Sequence, residues 1–516
     1  MSKKNNRHEA TAETASVKKL TGLMVIGIIL LVAQAVLSIA ISFNAFRFIP
    51  AKYRIAEVVV LVVLFVAALV LFILWMLNKE KKGAKTKYVI ACVISVISVL
   101  VCSIGTAALY KVHETLDGMN ESTMKSKYGV YVLKGNSAQT ITDAKDYVFG
   151  FASDVNSNTI NKVFEKIGEE CEQEVAKRPY ASQLELVDAL LDDKVKAIVL
   201  SEAYVDILSD IWGYSKFSQK TRLIYECTAE EQVKERKKSR LTEESFIVYV
   251  GGSDTRDAKL TTSRNDVNIL AVVNPKDKQV LLINTPRDCQ IDLSVAPGNM
   301  DKLCHCGGKG IDCSIDTLAN LYETEINYYA QINFTGIIAL VDALGGVTVE
   351  SDRTFTTTTK SSLHGDTTFD FVEGENTIDG QKALAFARER YALKEDDLGR
   401  GAHQMALIKA LAKKAMSPAV LNDFTGLLDS VKDMTATNFS ASEIESLVQM
   451  QLDDPAEWDI LTYNLTGQYV KAYVASYSKK KVDTMIPDEQ QLQQIKGLIY
   501  KVMNGDVLTA SDVEKK

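Results

Sequence analysis

The sequence has no surplus of positive charge. It carries 59 Lys and Arg against 66 Asp and Glu, a net charge of −7, which is not the balance of a protein that coats nucleic acid or another bulk polyanion. Any anion it binds is therefore held at a local site. No helix-turn-helix pattern is present either, which argues against transcriptional control. The first apolar run lacks a small-residue cleavage site, so it does not read as a removable secretory leader. The paired CxxC spacing of the common zinc modules is missing too, although CHCGGKGIDC (304–313) gathers three of the eight cysteines. What the chain does have is length and apolar content: 516 residues, 47% of them hydrophobic, support two or three domains with real cores.

Three apolar stretches, 20–42, 56–77 and 88–109, each approach the roughly 20 residues that cross a bilayer as a helix. Lys3, Lys4, Arg7, Lys18 and Lys19 precede the first, and Lys79, Lys81, Lys82, Lys85 and Lys87 follow the second, whereas the intervening loop has only Arg47, Lys52 and Arg54. The positive-inside rule then sets the N-terminus in the cytoplasm and everything after about residue 112 outside. Cys92 and Cys102 read as small apolar residues of the third span. Cys171, Cys227, Cys289, Cys304, Cys306 and Cys313 fall on the oxidising side, where disulfides or free thiols are favoured over zinc and the pairing is open.

The boundaries that follow are a cytoplasmic tail (1–19), three membrane helices (20–111), an extracellular accessory α/β segment (112–235), a catalytic segment (241–505) and a C-terminal tail (506–516). In the accessory segment GVYVLK, KAIVL and TRLIYE alternate with helical patterns such as NTINKVFEKIGEECEQ and SQLELVDALLDD, the rhythm of a small parallel-type sheet. No chemical constellation stands out in it, so it reads as a spacer, with ligand binding the other possibility. The charged run AEEQVKERKKSR (229–240) reads as solvated, with contact to anionic lipid or polymer the other possibility.

The chemistry concentrates further on, in apolar strands that end in charged tips. FIVYVGGSDTRD delivers Asp254, SRNDVNILAVVN carries Arg264 and Asp266 on one face if extended, and QVLLINT runs into Arg287 and Asp288. QKALAFA (381–387) is followed by Arg388 and Arg390, which share a side if extended. Beyond Gly399 a helical pattern puts Arg400 and Gln404 one turn apart at its start, where a helix N-terminus and an arginine suit an anion. Guanidinium matches two phosphate oxygens at once and stays charged. Carboxylates among so many arginines make sense if they hold a divalent cation that phosphate oxygens complete. Pyrophosphate with Mg²⁺ satisfies both.

GGSDTRD, SRNDVNILAVVNPKDKQVLLINTPRD, MDKL, INYYAQINFTGIIALVDALGGVTV, ARER and DDLGRGAHQ together resemble the LytR-CpsA-Psr family of cell-wall glycopolymer ligases, across essentially all of residues 245–505. The three spans and the accessory segment resemble its capsule-type members. The resemblance implies an α/β chain: a three-helix membrane region, a small α/β accessory domain, and an α/β catalytic domain whose central mixed sheet is flanked by helices. It implies a membrane-anchored enzyme of a Gram-positive-type envelope, its catalytic domain extracellular. Such an enzyme moves a teichoic acid or capsular polysaccharide from a polyprenyl pyrophosphate carrier to the muramic acid C6 hydroxyl of peptidoglycan, forming a phosphodiester.

By the same resemblance Asp254 and Asp266 hold Mg²⁺ (or Mn²⁺), Arg264, Arg287, Arg388, Arg390, Arg400 and Gln404 bind the pyrophosphate, and Asp397 joins the catalytic set. Two positions depart from the family pattern: His403 stands where members often carry an arginine, and CHC at 304–306 is unusual. His403 is either a phosphate contact when protonated or a plain helix-face residue. Phosphoryl transfer is mostly positioning and stabilisation of charge, so direct attack by the sugar hydroxyl needs no protein nucleophile. Asp257 and Asp288 are the candidate bases. INFTGIIALVDAL and VNILAVV either line a slot for the polyprenyl tail or form core. Two other functions use the same residues or none of them: hydrolysis of the same lipid-linked pyrophosphate, and non-catalytic membrane regulation.

Overall fold

The computed structural model describes the chain apart from residues 1, 46–50, 80, 82, 120–122, 212, 256–258, 394–396, 418–423, 478–480 and 515–516. For 2–19, 44–45, 51–52, 210, 397, 424–425 and 477 the backbone alone is described. The chain forms two compact units, Met1–Thr115 with Ala441–Pro455, and Leu116–Ser440 with Ala456–Lys516.

In the first unit, three helices are long and apolar enough to cross a membrane: Leu20–Phe43, Tyr53–Leu77 and Ala84–Met119. They expose Val, Ile and Leu outward, the pattern that lipid as solvent permits. Between them they bury the rings of Phe72 and Trp75, and a hydrogen bond of 2.8 Å runs from Ser95 Oγ to Gln34 Oε1. The helix Ala441–Asp453 belongs to this unit, its Glu445 carboxylate 2.9 Å from His113 Nδ1.

The second unit holds two sheets. The accessory sheet has five strands, in spatial order Ala176–Tyr180, Val148–Ala152, Ala197–Ser201, Thr123–Leu133, Thr221–Gln232. The expected helices form at Ser157–Cys171 and Gln183–Leu191, capped by Asn156 and Ser182. The sheet is mixed rather than parallel in type. Val148–Ala152 is parallel to both neighbours, but Thr123–Leu133 runs antiparallel to both of its own. Strand composition reports burial and not strand direction, which the connections set. The charged run after this sheet is not simply solvated. Arg236 is largely buried and bridges Asp312 (2.5 Å) and Asp316 (2.8 Å), one turn apart on the helix Ile311–Tyr322.

The second sheet has six strands, in the order Thr435–Thr437, Tyr328–Asn333, Phe246–Ser253, Asn265–Asn274, Gln279–Asn284, Asp459–Asn464. Phe246–Ser253, Asn265–Asn274 and Gln279–Asn284 form an antiparallel meander. Tyr328–Asn333 and Asp459–Asn464 flank it in parallel with their neighbours. Most of VNILAVV is core: Asn268 to Val273 are buried in the central strand, and Val267 at its start is half-buried. Helices Ile311–Tyr322 and Glu489–Met503 cover one face, contributing Ile315, Leu318, Ile495 and Leu498 to the core.

Candidate active site

The register brings the charged tips to a single edge. Ser253 pairs with Asn265, and Asn284 pairs with both Ile269 and Asn464. Asp254, Arg264, Asp266 and Arg287 therefore leave three adjacent strands at the same end. That end is the carboxyl side of the parallel strands, where open α/β sheets place ligands.

The second half of the site comes from helices. QKALAFA is not extended: Gly380–Arg388 is a helix, capped by Asp379 accepting from the Lys382 amide at 2.9 Å. Arg388 is its last residue, so Arg388 and Arg390 are not strand neighbours. Straight-chain residues and alanines have high helix propensity, and the capping aspartate four residues ahead of Ala383 was the overlooked signal. Arg388 lies over the Phe334 ring at 4.3 Å and donates to the Ser362 carbonyl at 2.9 Å. Arg390 reaches over Tyr391 at 5.0 Å.

The helix Asp397–Ala415 carries Arg400, His403 and Gln404. Asn464 Nδ2 donates to the Leu398 carbonyl at 3.1 Å and so ties the start of this helix to the sheet edge. Gly401 allows the approach, because a methyl there would overlap Asn284 Nδ2. Gln404 Nε2 donates to the Ala387 carbonyl at 3.2 Å, joining the two helices. The side chain of Asp397, like Asp257, lies outside the described residues.

Within the site, Arg264 donates to Asp254 Oδ2 at 2.7 Å and Arg287 is ion-paired with Asp266; all four side chains are mostly buried, 11–16% exposed. Burial pushes the Asp254 carboxyl up and the neighbouring Asp266 adds to it, against the pull of Arg264, Arg287 and Arg388. Burial works the same way on Asp266, but Arg287, Arg400, Arg264 and Arg388 outweigh it and hold that carboxyl below the usual range. Four arginines spread over 137 residues of sequence, from Arg264 to Arg400, thus act on one carboxylate. Magnesium is commonly held by one or two carboxylates plus substrate phosphates. Two adjacent, mutually repelling carboxylates are a donor set of that kind.

Asp288 sits 4.0 Å from Arg287 and 2.8 Å from Lys302 Nζ. Burial opposes its ionisation, but Lys302 and Arg287 hold it below the usual range. A carboxylate so stabilised is a weak proton acceptor.

Two residues that position the site escaped sequence reasoning. Glu389, inside ARER, is fully buried and accepts from the amides of Arg390 and Ala392 (each 2.9 Å), the Ser361 hydroxyl (2.9 Å) and the Thr358 amide. It thereby fixes the loop whose carbonyls receive Arg388. Asp301, inside MDKL, is buried and takes His305 Nδ1 at 2.7 Å, together with the Lys302 and Ser476 amides at 2.8 and 3.2 Å. Burial pulls His305 down, but Cys304 and Asp301 beside it prevail and raise it to about 9. This pair underlies the Arg287 loop, since the Cys304 amide donates to the Arg287 carbonyl at 3.0 Å.

All eight cysteines are free thiols in the structure, and Cys306 Sγ donates to Thr317 Oγ1 at 3.4 Å. Among the described residues no three His, Cys, Asp or Glu gather into a metal-binding group.

His403 is buried in an aromatic cluster. Its ring stacks on Phe386 at 4.0 Å and Phe355 at 5.1 Å, and Nδ1 lies 3.2 Å from the Phe386 carbonyl. Burial depresses its pKa to about 4. Unfolded, the ring takes a proton near its ordinary value of 6.5, so the stability it allows is whole above that pH and is lost as pH falls toward about 4, by about 3 kcal/mol. His403→Phe is expected to flatten the thermal midpoint over that window, checked by melting at half-unit pH steps.

A model of the LytR_cpsA_psr family matches residues 211–494. Among curated proteins, the polyisoprenyl-teichoic acid–peptidoglycan teichoic acid transferase TagU of Enterococcus faecalis is 32% identical over 238 residues, 46% of this chain and 74% of that one. The protein of the same name from Halalkalibacterium halodurans is 32% identical over 198 residues, 38% of this chain and 62% of that one. Among solved structures, B. subtilis TagV is 22% identical with a TM-score of 0.43, covering 52% of this chain and 99% of that one. The chain belongs to the LytR-CpsA-Psr family.

Proposed function

We propose that the protein transfers a glycopolymer from a polyprenyl pyrophosphate carrier to peptidoglycan, as the names of its curated relatives describe for them. The observation that carries this reading is the convergence of Arg264, Arg287, Arg388 and Arg400 on Asp266 and Asp254 at one sheet edge. An array of fixed guanidinium groups is complementary to a diphosphate and to the charge that builds as its bridging bond breaks. In the reaction the acceptor hydroxyl oxygen bonds to the glycan-bearing phosphorus and polyprenyl phosphate departs. Arg390 and Gln404 complete the set as further contacts to the diphosphate. Asp254 and Asp266 would hold Mg²⁺ or Mn²⁺, which when bound supplies charge neutralisation at the phosphate oxygens.

The half-buried Ile337, Ile338 and Leu340 on the helix Phe334–Ala343 offer an apolar surface to the polyprenyl chain beside Arg388. The distribution of Lys and Arg around the three spans supports a cytoplasmic N-terminus and a site outside the membrane.

The test is the full chain in detergent, given a lipid-pyrophosphate-linked glycan, Mg²⁺ and peptidoglycan fragments. The expected product is a glycan–phosphate–peptidoglycan adduct, made at least tenfold more slowly after chelation. Free glycan phosphate alone would establish a hydrolase instead, and no product would refute both.

A further inference from the structure

A second cleft, of about 310 Å³, opens between the accessory sheet and the catalytic segment within the second unit. Its chemistry is unlike that of the arginine site. Ser153, Asn156, Gln183, Ser201 and Thr262 line it with hydroxyl and amide groups. Its two lysines are balanced by two carboxylates and already engaged. Lys309 lies 3.5 Å from Asp154, Lys127 lies 3.6 Å from Glu202 at the margin, and Asn156 Nδ2 donates to Glu231 at 2.9 Å. A wall with no net charge and no arginine offers a phosphate little. Closely spaced donors and acceptors, with Val155 and Val295 as apolar ground, suit a neutral ligand rich in hydroxyls. The volume is at the small end of ligand pockets, about 300–1,000 Å³, and accommodates one or two sugar rings.

The cleft is also joined to the phosphate site. Thr262 lines it two residues before Arg264 and is clamped by the accessory strand, its amide donating to the Lys125 carbonyl at 2.9 Å and its hydroxyl accepting from Ser126 Oγ at 2.8 Å. Gly308 and Lys309, on the opposite wall, follow directly on the His305 turn.

We infer that this cleft is a saccharide subsite, built jointly by the accessory and catalytic segments, that holds an uncharged sugar unit of one of the two glycans while the arginine site holds the diphosphate. The inference rests on the transferase reading for its setting, not for its test. Two glycans share the required chemistry, the peptidoglycan acceptor and the glycan borne by the donor.

The experiment uses the full chain in detergent. It measures binding of a peptidoglycan disaccharide fragment, of carrier-free donor glycan, and of inorganic pyrophosphate, in wild type, Ser153→Trp, which fills the mouth, and Glu231→Ala. The expected result is an increase of at least tenfold in Kd for one saccharide in both variants, with pyrophosphate binding unchanged. The saccharide affected names the source. Unchanged saccharide binding in both variants, or a wild type that binds neither saccharide, overturns the inference. A wild type that binds saccharide through this cleft yet forms no adduct would refute the transferase reading and leave the subsite standing.

Discussion

Arg287→Lys is expected to lower glycan transfer about 10²–10³-fold while the protein stays folded. Lysine keeps a positive charge against Asp266, so the buried carboxylate is not left alone, but it has no planar fork to span two phosphate oxygens. The loss is that of one donor preorganised toward developing charge. Arg287→Ala would be a poorer experiment. It removes the partner of an aspartate only 13% exposed, and breaking a largely buried pair costs about 3–5 kcal/mol. An inactive alanine variant would thus confound lost chemistry with lost structure. Steady-state transfer and a thermal melt on the lysine variant separate the two. Transfer within threefold of wild type, with an unchanged melt, would remove Arg287 from the site.

The second large effect is on stability. Asp301→Ala is expected to destabilise the second unit by about 3–5 kcal/mol, because it strands a buried imidazolium and abandons the Lys302 and Ser476 amides. The pH dependence identifies the cause. His305 binds its proton more tightly folded, at about 9, than unfolded, at 6.5. Its contribution is therefore complete below 6.5 and is lost as pH rises through about 9. Wild type should show a falling thermal midpoint across that interval, and Asp301→Ala should make that slope shallower along with the lost stability, Cys304 keeping part of it. A variant that melts like wild type at pH 6 would show that the pair contributes little.

Sequence legibility varied with the physics involved. The spans were readable because a bilayer demands length and apolarity of every residue in the run. The strand tips bearing Asp254, Arg264, Asp266 and Arg287 were readable because alternation and turn residues are local. QKALAFA left the setting of Arg388 and Arg390 open because a short apolar run fits strand and helix alike, and only Asp379 four residues before Ala383 distinguishes them. Arg236 looked like one more charge in a solvated run, since its partners Asp312 and Asp316 are more than 70 residues away in sequence. Glu389 and Asp301 were invisible as positioning groups for the same reason: a buried carboxylate announces itself by its donors, which come from distant backbone amides and hydroxyls. The stacking of His403 against Phe355 and Phe386 depended likewise on tertiary neighbours.

The antiparallel meander has a consequence for how the chain is made. Its three strands and their tips, residues 246 to 287, need only short loops to close, the local pairing that folds fast. Each acidic group then meets a basic partner from the same stretch, Asp254 with Arg264 and Asp266 with Arg287. Arg388 and Arg400 arrive about a hundred residues later. The two acids thus have partners of their own within the meander, and the charge surplus that attracts a diphosphate comes with the helices Gly380–Arg388 and Asp397–Ala415.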